Sequence, residues 1–212
     1  MNIRRKIKTY TEAPLSHNIV MEALSSYGRP NDKISEMLKS GELLALRRGL
    51  YVPGPELDLP LPNNFLIANH LRGPSYISLE SALSYWGLIP ERVYEISSVT
   101  TKTSKTYETA IGRFSYQHLM TPYYSFGIKS IQLTEMQTAM VASPEKALCD
   151  KIILTSGVLL RSIPQALDFL LEDMRLDEDL LRGFDIATIH SWIEDAPKKN
   201  SLQMLVNTLE RI

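Results

Sequence analysis

Arg47 and Arg48 stand directly before Gly49, between two short β-prone apolar runs, 43–46 and 50–52. Glycine supplies the positive φ that a tight hairpin needs, so the two guanidinium groups fall at a hairpin tip. There they can reach phosphates or a minor groove; a basic solvated turn is the plain alternative. Just upstream, Lys33, Ser35 and Lys39 lie on the outward side of an amphipathic stretch, 32–40, suited to a major groove. Asp32 and Glu36 share that side and oppose phosphate. Arg4, Arg5, Lys6 and Lys8 form either an arm along a DNA backbone or a solvated tail.

Catalytic chemistry has little to work with. His17, His70, His118 and His190 lack the spacing that builds a metal face, and no glycine-rich loop matches a phosphate cradle. Ser143 and Lys146 have the Ser-x-x-Lys spacing, but Ser143 is placed to cap a helix, as Ser-Pro-Glu suits a helix start. Lys102-Thr103-Ser104-Lys105 reads as a solvated basic turn, with a secondary phosphate or RNA contact as the alternative. These residues imply no catalytic centre, no metal and no cofactor.

Charge is segregated along the chain. The 212 residues hold 23 basic and 24 acidic side chains, yet residues 1–54 carry nine Lys/Arg against five acids, a local +4. The remaining 158 residues carry −5. Screening limits each charge to roughly 8–10 Å, so a basic head on an acidic body can hold DNA with its head alone. The hydrophobic share of 44% suffices for a real core. Cys149 is the single cysteine and sits in an apolar run, as a buried inert thiol does. The basic start, Met1 to Lys6, leads into no apolar stretch, and no run approaches a membrane span; a cytoplasmic protein with no membrane partner is expected.

The elements that must position these residues follow from periodicity. A helix is predicted over 15–27 with Ser16 as N-cap, and a second over 32–40 with Asn31 as N-cap and Gly41 as its stop. A weaker helix falls in 3–12. Proline clusters at 53–55 and 60–62 place a boundary near residue 56. Beyond it the pattern predicts a helix over 65–71, a strand over 76–78, a helix over 79–86 capped by Ser78, and strands over 93–101, 107–110, 113–118, 123–133 and 138–141. Helices close the chain from Ser143, with later ones near 164–175, 187–196 and 199–211. The fold class is α+β: a winged helix-turn-helix in 1–56, then a mixed α/β domain ending in helices in 57–212. Strand 93–101 with the polar segment 102–106 is a candidate interaction edge.

Four stretches resemble the AbiEi-type antitoxin family: Leu46 to Val52 (LRRGLYV), Tyr76 to Glu91 (YISLESALSYWGLIPE), Ser98 to Lys102 (SVTTK) and Ala142 to Leu148 (ASPEKAL). Those proteins are regulators found beside nucleotidyltransferase toxins in phage-defence loci. The resemblance implies a transcriptional repressor that binds double-stranded promoter DNA of its own operon and counteracts the toxin through its C-terminal part. Carried over by position, Arg47, Arg48 and helix 32–40 would form the DNA surface. The residues alone leave open a module that docks the toxin directly, a stand-alone regulator, and a monomer or weak dimer.

Overall fold

Backbone chemistry sets the order of the first elements in the computed structural model, which describes residues 3–10 and 12–212; Met1, Asn2 and Thr11 lie outside them. Helix α1 spans Ile3–Lys8, so Arg4, Arg5, Lys6 and Lys8 ride on a helix rather than on an extended arm. Leu15–Ser16 forms a short strand, β1, where a helix start was predicted; a two-residue strand leaves no periodic trace. Helix α2, His17–Ala23, then begins on Ser16, whose side chain accepts from Ile19 N at 3.3 Å. Helix α3 runs Pro30–Ser40, two residues longer than predicted. Pro30 occupies its first turn, Arg29 is the N-cap in place of Asn31, and Gly41 closes the helix at φ +79°.

Strands β2, Leu43–Arg47, and β3, Leu50–Pro53, make a hairpin turning at Arg48-Gly49, with Gly49 at φ +76°. The sheet order is β1-β3-β2. Tyr51, Leu43 and Leu15 pack with Ile7, Val20, Leu24, Ile34 and Met37 in a small core. Leu46, Leu50 and Val52 belong instead to the large core of the remaining chain. Every residue of β3 is buried, so the hairpin is a wall between two cores and not a free blade.

The chain leaves this wall through Gly54, whose N–H donates to Glu42 O at 2.7 Å. A Cβ at Gly54 would lie 1.9 Å from Gly41 O. Gly54→Ala is therefore expected to lower stability by about 1–3 kcal/mol, measured by urea unfolding, because backbone and not a flexible side chain must move. A wild-type midpoint in that variant would show that the crossing has slack.

The second part is built on a six-stranded mixed sheet, ordered β6-β7-β5-β4-β9-β8. Its strands are β4 Ser75–Ile77, β5 Ile96–Thr100, β6 Lys105–Thr109, β7 Gly112–His118, β8 Ile128–Gln132 and β9 Thr138–Ala142. Strand β5 is internal, between β7 and β4, so the predicted interaction edge at 93–101 is not an edge. The long strand predicted over 123–133 is a 3₁₀ turn, Tyr123–Ser125, followed by β8.

Helix α4, Asn64–Leu71, carries Asn69, whose amide bonds both Met140 N–H and Met140 O and also Ser75 O. That one side chain splints β4 to β9, which pair only at Ile77 and Val141. Helices α5 Leu79–Tyr85 and α6 Pro144–Leu154 follow β4 and β9. The chain ends in α7 Ile163–Leu167 with a π-helical continuation to Asp173, α8 Glu178–Leu181, α9 Ile186–Trp192 and α10 Lys199–Leu209. Lys198 Nζ donates to Ile152, Thr155 and Val158 carbonyls at 2.8 Å each, capping the end of α6.

Ser143 caps α6 as predicted, accepting from Lys146 N. Lys146 itself is wholly buried and ion-paired to Asp150 at 2.9 Å, with its Nζ 3.0 Å from Tyr123 O and 3.4 Å from that ring's centroid. Asp150 also accepts from Tyr76 Oη at 2.9 Å and Ser78 Oγ at 2.7 Å. Ser78 is thus drawn inward to a carboxylate and makes no side-chain cap on α5, contrary to its sequence reading. The Ser143/Lys146 pair is a helix cap and a core ion pair. No helix among the described residues is long and apolar enough to cross a membrane.

Candidate nucleic-acid interface

The first arginine of the hairpin turn is held by main-chain carbonyls. Arg47 Nε donates to Leu71 O at 3.0 Å and its Nη1 to Arg48 O at 3.3 Å. The next residue of that segment, Arg72, donates from Nη2 to Thr103 Oγ1 at 3.0 Å and to Thr103 O. Lys102 Nζ in turn reaches Gly73 O. His118 braces the same loop, with its N–H on Ser104 Oγ and its Nδ1 on Lys102 O. Lys105 lies 4.6 Å over the Tyr107 ring, which meets Tyr116 edge-on.

Tyr116 sits among these groups. Burial pushes its phenol well up, Tyr107 adds to that, and Arg72 and Arg47 pull weakly the other way, as positive charges close to a phenolate do. Its hydroxyl donates to Ala68 O at 2.7 Å. Arg47, Arg48, Arg72, Lys102 and Lys105 therefore share one face, assembled from the hairpin, the end of α4 and the β5–β6 loop. Among the described residues none of the five is ion-paired to an acid. A carbonyl fixes the position of a cation but brings no countercharge, so Arg47, Arg72 and Lys102 are ordered with their charge left uncompensated.

The other sequence-predicted residues are placed less favourably. Lys33 is paired with Glu36 at 2.7 Å, which raises its proton affinity, and its side chain is only 20% exposed. Ser35 Oγ donates back to Asn31 O within its own helix. Lys39 is exposed, and the outward side of α3 carries Asp32 and Glu36 among its cations. Arg4 pairs with Asp58 at 2.9 Å; Arg5 is exposed and Lys6 half-buried on α1. The structure thus joins Arg47 and Arg48 to Arg72, Lys102 and Lys105. In the sequence Arg72 carries no signal, and Lys102–Lys105 reads as a solvated turn with a phosphate or RNA contact as the alternative. The absence of acids from 98–107 was the available signal; the approach of Arg72 from 30 residues upstream had none. No protein-family model and no curated protein matches this chain.

Proposed function

We propose that this protein is a DNA-binding transcriptional repressor whose duplex contacts centre on the hairpin and the face beside it. The observation that carries the reading is the set of five cations, Arg47, Arg48, Arg72, Lys102 and Lys105, three of them anchored on carbonyls and none with an acidic partner among the described residues. Helix, short strand, helix, helix and hairpin, with the short strand beside the second hairpin strand, support a winged helix in 1–56. In such a unit α3 faces the major groove. The loop cations of the second unit would then grip phosphates flanking that groove, which extends the DNA surface beyond the head.

The resemblance to AbiEi-type antitoxins supplies the setting: the DNA is the promoter of its own operon, and the partner countered by 57–212 is a nucleotidyltransferase toxin. Rescue of growth when the chain is co-expressed with the toxin encoded beside it tests that half. The DNA half is tested by a salt series. Each phosphate contact contributes about 0.9 to the slope of log affinity against log salt. Arg48→Ala/Lys102→Ala/Lys105→Ala is expected to flatten that slope by about 2–3 in fluorescence anisotropy with duplex DNA. A slope identical to wild type removes this face from the mechanism.

A further inference from the structure

Two hydrogen bonds at the ends of the β8–β9 hairpin fix which way the outer strand faces. Ser143 N donates to Gly127 O at 2.7 Å and Leu133 N to Gln137 O at 2.8 Å, on either side of β8. Both belong to the same register, in which Ile128 faces Ala142 and Gln132 faces Thr138. Hydrogen-bonded pairs alternate along an antiparallel ladder, so positions 127, 129, 131 and 133 bond inward to β9. The N–H and C=O groups of Ile128, Ser130 and Gln132 therefore point outward. Among the described residues strand β8 pairs on one side only, whereas β6, at the other end of the sheet, lies beside β2 of the hairpin. Open edges are usually blunted by proline, bulges or several charges. Here the edge is Ile-Lys-Ser-Ile-Gln, with one charge, and Lys129 is turned over the Trp86 ring at 5.8 Å.

We infer that β8 is a homodimer edge, joined antiparallel to β8 of a second copy about a two-fold axis through Ser130. The register follows from the strand itself. With Ser130 facing its own copy, Ile128 faces Gln132 on both sides, and all three outward positions make hydrogen-bonded pairs. Sliding by one pair in one direction sets Lys129 opposite Lys129, a like-charge contact. Sliding the other way loses a pair. In the centred register Lys129 faces Ile131, so no charges oppose. Met140, on the neighbouring strand and directly beside Ser130, is 41% exposed, and Met136 at the hairpin turn is 74% exposed. In this register Ser130 meets Ser130, and the row across the joined sheets runs Met140, Ser130, Ser130, Met140, a row with no charge in it. An edge of five residues is a small interface, of the kind that associates in the micromolar range.

Sedimentation velocity of the full chain across that range, with no DNA present, reads the proposal independently of the DNA reading. Wild type is expected to shift from monomer to dimer with concentration. Ser130→Pro removes only an outward N–H, so the monomer keeps its ladder while the dimer is lost. Should Ser130→Pro lose its wild-type circular dichroism, Ser130→Lys serves instead: it sets two ammonium groups face to face, weakening the dimer at low salt and restoring it at high salt. Register is read by oxidation with glutathione disulfide. Ser130→Cys meets itself at a Cα separation of about 5.5 Å and is expected to form a disulfide dimer, while Gln132→Cys faces Ile128 and is not. Cys149 is buried and does not interfere. A wild type that stays monomeric throughout, a folded Ser130→Pro that dimerises like wild type, or equal cross-linking of both cysteine variants overturns the proposal; the first result would leave the edge for another protein's strand.

Discussion

Asp150→Ala is expected to lower stability by about 3–5 kcal/mol and the melting temperature by roughly 10 °C. The loss comes from what stays behind. Lys146 would remain wholly buried, with one carbonyl and a ring face in place of a carboxylate. Tyr76 and Ser78 would each lose an acceptor at the same moment. Replacing both charges, as Lys146→Met/Asp150→Leu, removes the uncompensated ion and is expected to destabilise less than Asp150→Ala alone. A double-mutant cycle by chemical denaturation decides the matter. Strict additivity of the two single changes would mean that the pair is not coupled in the fold.

Alkaline solution should loosen the same core. Burial pushes the phenols of Tyr76 and Tyr123 well above 10.0, with Asp150's negative charge adding to both, and burial likewise lifts Tyr116. The Cys149 thiol rises from its ordinary 9.0 for the same first reason. A folded chain that holds these protons competes with an unfolded chain that has released them. Stability contributed by the neutral forms is therefore complete below pH 9 and falls as pH climbs past 9 and then 10. Each group steepens the fall by up to about 1.4 kcal/mol per pH unit. Lys146 acts in the opposite sense, because burial holds its ammonium below 10.5 and the unfolded chain binds that proton more readily. Lys198 is lowered by burial in the same way, and the Tyr124 phenol is lifted with the others, so two lysines against five acids leave the net slope downward. Urea midpoints that stay level between pH 9 and 11 would refute the account; a drop beginning near pH 9 supports it.

Local signals in the sequence were read correctly where the responsible atoms lie within a few residues of one another. Ser16 and Ser143 cap the helices they precede, and Gly41 and Gly49 take left-handed conformations where a helix stop and a tight turn demand them. The apolar stripes Ile189 to Ala196 and Leu202 to Leu209 are buried as their spacing implied, although α9 stops at Trp192 and Ile193–Asp195 is a 3₁₀ turn. What could not be read depends on distant partners. Lys146 and Asp150, four apart on a helix, resemble a solvated surface pair until Tyr76 and Ser78 close over them from 70 residues away. Ser78 looked like a cap for the same reason. The cationic face was half legible: Arg47 and Arg48 by their turn, Arg72 and Lys102 only once the sheet brings α4 beside the β5–β6 loop.

The doubly buried strand β3 has a bearing on how such a molecule can be taken apart. Cleavage at the proline-rich stretch after residue 53 would strip Leu46, Leu50 and Val52 of their cover and leave an oily flank on the severed head. The head is consequently not an exchangeable cassette: grafting it onto another body requires a recipient shaped to receive those three side chains. Whatever strains the rear sheet is also felt at the turn bearing Arg48, since a single ribbon of backbone forms the partition between the two halves.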